Sequence, residues 1–321
     1  MAGGNRFEYL EIDGHPAPKK RSHAAEPPQV VEKAAPRAKG KQLVVTEVIG
    51  SYGTRISQFN CPAGLELDRH GSLYVADSYN HRVQKISPDG SVVAIGGKGT
   101  GPGRFLNVQD IAIDRNSTIY VLEQGNCRIQ KISFDGQLLA IIGGKGSMPG
   151  EFESPMGLAL DSHGSLLVAD TGNGRLQKLM GNGRPIFAIS SRADRALCRP
   201  QGVAVDRAGN CYVADTFSHC IVKLDPNGKE ALRFGSWGTA IGCFNEPQDL
   251  TLDGDGLVYV IEQENSRLQV LDHQGRTVCC VDTTGTQVGR MKSPSGITVS
   301  EHDEIYVSDT GNHRILKLEW K

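Results

Sequence analysis

Several features are missing from this 321-residue sequence, and each absence narrows its class. No window approaches the ~18 consecutive apolar residues that cross a bilayer, and the first residues lack the apolar core of a signal peptide. The eight cysteines form no CxxC pair and stand mostly in strand-like runs, which indicates buried, reduced thiols. The 35 basic and 36 acidic side chains nearly cancel, unlike the charge balance of a typical nucleic-acid binder. We therefore expect a cytoplasmic protein without a membrane segment.

A repeat runs through most of the sequence. Its marker is an aromatic or aliphatic residue followed by Val, any residue and an acid, and successive acids stand 45 to 47 residues apart. A period of this length is typical of propellers and other repeat arrays. An Arg follows the acid by five positions in five copies, whereas the fourth copy has Cys220 there. The six acids are Asp77, Glu123, Asp170, Asp215, Glu262 and Asp309.

Each repeat also contains four short runs of alternating apolar and polar residues, as at 157–161, 165–169, 175–179 and 185–189. Segments rich in Gly and Asn separate these runs and favour chain reversals. Four antiparallel strands in each of six units predict an all-β fold, a six-bladed β-propeller, which protects its sheet edges by radial repetition. The last unit ends after three strands. We therefore predict that the strand at residues 42–50 completes the sixth blade and closes the ring.

Two stretches of these units resemble NHL repeats. They are residues 155–178, with the run Asp170-Thr171-Gly172-Asn173-Gly174-Arg175, and residues 308–315, with the run Asp309-Thr310-Gly311-Asn312-His313-Arg314. The resemblance extends over residues 42–321 and implies the same six-bladed propeller. NHL propellers include protein-binding modules, RNA-binding modules, sensor domains and an amidating lyase, so the resemblance leaves the function open.

Side chains that recur in every blade are expected to have the same structural role in each blade. We therefore interpret the repeated acids and arginines as structural contacts rather than as an active site. The six segments expected to form the innermost strands contain no His, which argues against a zinc site based on His. His81, His219 and His313 share one turn position and match the family's characteristic His. The sequence predicts no catalytic residue, no metal site and no cofactor.

Blades two and five depart from the others in the same way. They carry Asp110 and Asp249 where the other blades have Gly, and Glu123 and Glu262 where the others have Asp. These blades face each other across a six-fold ring, so both acidic clusters are expected at one end of the central tunnel. We consider two roles for them, a ligand or partner site and simple bonding to neighbouring turns. A Ca²⁺ ion bridging Asp110 and Asp249 is not expected, because opposite strands are separated by several ~4.8 Å strand spacings.

Blade four departs in its turns and linkers. Phe217 occupies a turn position that usually holds Gly, and Trp237 lies in the linker that follows the blade. Arg192 and Arg195 lie in the linker that precedes it. Aromatic and Arg side chains are enriched at binding hot spots, so these four residues are predicted anchors of a protein-contact surface. The alternative is that the aromatic rings fill gaps between blades.

The first 41 residues differ in kind from the rest. They are rich in Ala, Pro, Lys and Arg, and such a composition predicts a disordered arm preceding the propeller at residues 42–321. One apolar cluster, residues 7–12, is a candidate docking motif; an unconstrained terminus is the alternative. The motif consists of Phe7, Tyr9, Leu10 and Ile12 with two intervening acids.

These observations favour a non-enzymatic propeller that serves as a protein-interaction scaffold. The alternative is a lyase or hydrolase with a site at the tunnel mouth, built on the acids of blades two and five. RNA binding is less favoured, because residues 42–321 carry 27 basic and 31 acidic side chains, a net charge of −4. A protein partner is expected, and the oligomeric state is left open.

Overall fold

The computed structural model describes residues 41–190 and 197–321, which form six four-stranded antiparallel sheets. The first strand, β1 (Leu43–Ile49), belongs to the last sheet. Blade one contains β2 (Pro62–Leu67), β3 (Leu73–Asp77), β4 (Arg82–Ile86) and β5 (Val92–Gly96). Blade two contains β6 (Val108–Ile113), β7 (Ile119–Glu123), β8 (Arg128–Ile132) and β9 (Leu138–Gly143). Blade three contains β10 (Gly157–Leu160), β11 (Leu166–Asp170), β12 (Arg175–Leu179) and β13 (Pro185–Ser190).

The remaining blades repeat this order. Blade four contains β14 (Pro200–Val205), β15 (Cys211–Asp215), β16 (Cys220–Leu224) and β17 (Glu230–Phe234). Blade five contains β18 (Pro247–Leu252), β19 (Val258–Glu262), β20 (Arg267–Leu271) and β21 (Thr277–Val281). Blade six contains β22 (Gly296–Val299), β23 (Ile305–Asp309) and β24 (Arg314–Trp320), together with β1. Short 3₁₀ turns at Ser78–Asn80, Thr171–Asn173, Thr216–Ser218 and Thr310–Asn312 join the second and third strands of four blades.

The innermost strand of each blade contacts the innermost strands of its two neighbours in a closed cycle, from β2 through β6, β10, β14, β18 and β22 back to β2. The second strand of each blade is packed between adjacent sheets, and in blades one to five it is buried along its whole length. These strands are therefore nearly continuous apolar runs. The structure confirms the predicted all-β six-bladed propeller.

The ring closes through β1. This strand pairs antiparallel with β24, from Leu43 opposite Trp320 to Ile49 opposite Ile315. Two further bonds join the backbones of Gln42 and Lys321. The prediction that residues 42–50 complete the sixth blade is confirmed.

The propeller has two distinct ends. The linker face carries the segments between blades and the turns between second and third strands, and every innermost strand begins there. The hairpin face carries the other two turns of blades one to five and, in blade six, the turn between β22 and β23. This assignment follows from the antiparallel strand order within every sheet.

Part of the sequence predictions lies outside the described residues. This applies to the arm up to residue 40, to the docking motif at residues 7–12, and to Arg192 and Arg195. No helix in the described ranges is long and apolar enough to cross a membrane. The cellular compartment stays a prediction.

Candidate functional site

The repeated acid at the end of each second strand holds together the linker face of its blade. In blade one, Asp77 is fully buried and accepts hydrogen bonds from the backbone N–H of Asn60 at 2.7 Å, from Nε of Arg82 at 2.7 Å and from Nε2 of Gln84 at 3.0 Å. Arg82 also donates to the backbone carbonyl groups of Arg55 and Gln58 in the preceding linker. The acid therefore ties its own strand, the next strand and the linker into one network.

Glu123 and Glu262, which the sequence marks as candidate binding residues, occupy this structural position. Both are fully buried. Glu123 pairs with Nε of Arg128 at 2.6 Å, and Glu262 pairs with Nε of Arg267 at 2.5 Å. A partner could reach these carboxylates only by opening the network. A binding role for Glu123 and Glu262 stays a prediction that this geometry does not favour.

Blade four keeps the network although it lacks the repeated Arg. Cys220 stands in the Arg position, and Arg233 from the outermost strand replaces the missing cation. Its Nη1 lies 3.2 Å from Oδ2 of Asp215 and 3.2 Å from the Cys220 sulfur. Sequence comparison of the blades misses this substitution, because Arg233 is 18 positions after the acid instead of five.

Asp110 and Asp249 lie on the innermost strands of opposite blades and line one small cavity in the tunnel. Each carboxylate bridges two blades. Asp110 accepts the N–H of Ile111 at 2.8 Å and, from blade three, the N–H of Leu158 at 2.7 Å. Asp249 accepts the N–H of Ile297 in blade six at 3.0 Å. The bonding role considered from the sequence is therefore present for both residues.

Glycine at the equivalent positions of other blades allows this close packing. A Cβ on Gly64 would lie 2.1 Å from Oδ1 of Asp110, and a Cβ on Gly202 would lie 2.5 Å from Cα of Asp249. Neither distance is possible for a real side chain. The inner strands of neighbouring blades therefore pack closely beside each of these two carboxylates.

This enclosure changes the acidity of the tunnel carboxyls. Burial raises the pKa of Asp110 well above its usual value, and the charge of Asp249 raises it further. Burial likewise raises the pKa of Asp249, against the opposing effect of the hydrogen bonds from Ile297 and Leu250. Glu66, two residues after Gly64, also acts on Asp110 electrostatically. These three carboxyls are enclosed and act on one another electrostatically, so they are difficult to ionise together.

The space between Asp110 and Asp249 is very small. Only about 10 Å³ is open to the centre of a water molecule, which is room for about one water. Three side-chain amides, those of Gln109, Gln201 and Gln248, also border this space. Within residues 41–190 and 197–321, no group of three or more His, Cys, Asp or Glu side chains is arranged to hold a metal ion.

The two aromatic anchors predicted in blade four lie exposed on the linker face. Trp237 keeps 70% of its surface accessible and Phe217 keeps 45%. Cζ of Arg199 lies 4.7 Å from the centre of the Phe217 ring, a cation–π contact between exposed side chains. Neither aromatic residue is enclosed between blades, contrary to the gap-filling alternative. Sequence reasoning missed Arg199. This residue directly precedes the innermost strand of blade four, a segment that the sequence analysis interpreted as structural.

Comparison with known families identifies five repeats. The NHL repeat model matches residues 59–86, 152–179, 197–224, 244–271 and 291–318, which correspond to blades one, three, four, five and six. Blade two forms the same four-stranded sheet without a match to that model. A comparison with curated protein sequences found no match.

Several solved structures have the same fold. The chain is similar to a streptogramin B lyase, with 12% identity, a TM-score of 0.63 and coverage of 89% of this chain and 100% of that one. It is similar to a gluconolactonase from Xanthomonas campestris, with 17% identity, a TM-score of 0.63 and coverage of 91% and 99%. It is also similar to an auxiliary nutrient binding protein from Bacteroides ovatus, with 14% identity, a TM-score of 0.65 and coverage of 87% and 77%.

At these identities the likeness shows the fold alone, and the three neighbours differ in what they do. The repeat matches and the blade count agree with each other and with the pattern of acids, arginines and turns along the sequence. The chain contains five NHL repeats and folds as a six-bladed β-propeller.

Proposed function

We propose that this propeller is a non-enzymatic interaction scaffold whose linker face binds a protein partner. The observation that carries the proposal is the exposure of large apolar side chains on that face, above all Trp237 at 70%. Burying such a side chain in a partner gains free energy that the isolated propeller does not obtain. The other exposed apolar residues on this face are Tyr52, Ile56, Tyr79, Met148, Phe217 and Ile241.

Chemistry and charge favour a protein over a nucleic acid. Seven large apolar side chains are exposed on the linker face, and exposed apolar surface is typical of protein-interaction sites. The exposed Arg199 beside Phe217 adds a residue type that is enriched at hot spots. The net charge of −4 on residues 42–321 provides no broad attraction for a phosphate backbone.

The test uses the full-length wild-type protein and its Phe217→Ala and Trp237→Ala variants. The measured quantity is how strongly each of the three captures the same partner protein. Each substitution should weaken capture of a specific partner by about fivefold or more, which corresponds to ~1 kcal/mol. Melting temperatures should stay close to that of the wild type, because neither side chain is buried.

Phe134→Ala is the matched control. Phe134 is 71% exposed and lies in a turn on the hairpin face, between β8 and β9. Its loss should leave capture unchanged. Equal capture by all four proteins would contradict the proposal, and so would a large loss of stability in the Phe217 or Trp237 variant.

A second candidate is an enzyme that uses the tunnel carboxyls as an acid–base pair. The favouring observation is that burial raises the pKa values of Asp110 and Asp249, and the charge of Asp249 raises that of Asp110 further, as in sites that exchange protons near neutral pH. The water-sized space between them disfavours an organic substrate. If this candidate is correct, Asp110→Asn or Asp249→Asn should abolish turnover of a lactone or lyase substrate while the melting temperature is retained.

A further inference from the structure

A second cavity lies on the hairpin face and shares no lining residue with the small cavity of Asp110 and Asp249. It has a volume of about 760 Å³ and is formed where blades six, one and two meet. Its apolar lining includes Leu67, Ile86, Ile113 and Val299. This volume lies within the ~300–1,000 Å³ range of small-molecule sites in proteins. The cavity is therefore large enough for an organic molecule.

The charged groups around this cavity are mostly acidic. Six carboxylic acids line it, against two arginines and one lysine. Two of the acids are already paired with a lysine, Glu304 with Lys317 at 2.5 Å and Asp68 with Lys85 at 3.4 Å, which leaves four acids. Both arginines, Arg69 and Arg115, are exposed at the rim. The interior of the cavity therefore favours a positive charge.

Among the acids that line the cavity, Glu66 is the one expected to bind a cationic group. It lines the cavity and is partly enclosed, and it lies near enough to Asp249 for that charge to act on it. The hydrogen bond from the N–H of Leu67 partly stabilises its charge, while Asp249 repels it, and among the described residues no cation pairs with it. Burial raises the pKa of Glu66 to about 8. A buried carboxyl without a counter-ion would gain from a ligand that supplies one.

Glu66 is also unique to blade one. The corresponding positions, each two residues after the Gly or Asp of the innermost strand, hold Ala112, Ala159, Ala204, Thr251 and Thr298. The ring therefore accommodates a small residue at this position in five blades. Ring assembly does not require a carboxyl here.

We infer that the hairpin-face cavity binds an organic cation, with an ammonium group at Glu66 and an apolar body against Leu67, Ile86 and Ile113. Binding converts the neutral Glu66 carboxylic acid to a carboxylate paired with the ammonium, and the carboxyl proton passes to solvent. The ligand is a small molecule, and its site is separate from the protein-contact surface proposed above.

The test is calorimetric titration of the full-length protein with 4-phenylbutylamine, beside the neutral 4-phenylbutanol. The amine should bind at one site and the alcohol at least tenfold more weakly. Proton release should appear as a heat that changes with the ionisation enthalpy of the buffer. Because the amine stays protonated, its affinity should rise roughly tenfold from pH 6 to pH 7 and level off above pH 8.

Two variants locate the site. Glu66→Gln should weaken amine binding at least tenfold and abolish proton release, while its melting temperature shows that it folds. Glu264→Gln, which changes an exposed acid in blade five, should bind like the wild type. Equal binding of amine and alcohol, unchanged binding by Glu66→Gln, or no saturable binding at millimolar amine would each overturn the inference. Proton release by the wild-type protein tests it without any variant.

Discussion

At the scale of single residues, each buried acid on the linker face depends on a cation that neutralises it. Five blades supply an Arg five residues later, as Arg82 does for Asp77 at 2.7 Å. Blade four supplies Arg233 from its outermost strand instead, and this Arg also pairs with Glu230 at 3.2 Å. The requirement is therefore for a positive charge at one point in space, not for an Arg at one position in the sequence.

Removing that cation should destabilise blade four. We expect Arg233→Leu to lower the free energy of unfolding by about 3 kcal/mol, because it leaves the fully buried Asp215 without a counter-ion. Cys220→Arg in the same chain should restore most of the loss by recreating the usual pair. Urea denaturation of the single and double variants measures both effects. Arg184→Leu, at an exposed turn position, is the control, and equal stability of all variants would contradict the prediction.

The tunnel carboxyls should make stability depend on pH in an unusual direction. Because burial raises the pKa of Asp249 in the folded protein, the unfolded chain ionises first as pH rises, and the folded state loses relative stability from about pH 4 towards neutral pH. The stability of Asp249→Asn relative to the wild type should therefore increase between pH 5 and pH 7, by up to about 1.4 kcal/mol per pH unit.

Denaturant titrations of both proteins across this range measure the difference. Asp89→Asn is the control. The N–H of Ser91 lowers the pKa of the exposed Asp89. Asp89 therefore loses its contribution to stability only below about pH 4, and it does not change the pH dependence of stability between pH 5 and pH 7. If the stability of the wild type and that of Asp249→Asn changed equally with pH, the raised pKa of Asp249 would be contradicted.

At the scale of structural elements, the turns between second and third strands connect neighbouring blades. Nδ1 of His81 accepts the backbone N–H of Asn107 at 3.1 Å, and His219 and His313 make the same contact to Glu246 and Cys61. Each of these histidines has a left-handed backbone with φ between 52° and 56°. In these three blades the His of the turn is thus a hydrogen-bond acceptor between blades.

Replacing one such His should weaken the junction between two blades. His81→Gly removes the acceptor without backbone strain, because Gly174 occupies this position in blade three with φ 59°. We expect a loss of about 1 kcal/mol at pH 8. Burial, and secondarily Lys98, lower the pKa of His81, so the wild-type advantage is present above about pH 6.5 and is lost as pH falls further. Thermal melts at pH 8 and pH 5 measure the change, and a pH-independent difference would contradict the assignment.

At the scale of the whole molecule, β1 closes the ring by joining the first strand of the propeller to the last blade. β1 buries Leu43 and pairs with β24 from Leu43 to Ile49, with one irregularity between Val45 and Glu47, and its removal would expose the edge of β24. Protein lacking residues 1–50 should melt roughly 10 °C or more below protein lacking residues 1–40, because several kcal/mol of strand pairing and burial is lost. Both proteins lack the arm, so the difference reports on β1 alone, and equal melting temperatures would contradict the closure.

The repeat determined most of the architecture from the sequence alone. Acids spaced 45 to 47 residues apart, period-two strands and Gly-rich reversals define six blades, because strand and turn preferences act over a few neighbouring residues. The missing fourth strand of the last unit led directly to residues 42–50. The Asp-for-Gly exchange at Asp110 and Asp249 was also visible, since equivalent positions can be compared without a structure.

Only the tertiary structure showed which contacts these residues make with other blades. The bond from Leu158 to Asp110 spans 48 positions, and the bond from Arg233 to Asp215 joins the fourth and second strands of blade four, whereas the other blades use an Arg on the third strand. The enclosure of Glu66, the water-sized space in the tunnel and the hairpin-face cavity arise where separate blades converge. Burial and electrostatic coupling depend on the three-dimensional closure of the ring, whereas the sequence pattern records mainly local backbone preference.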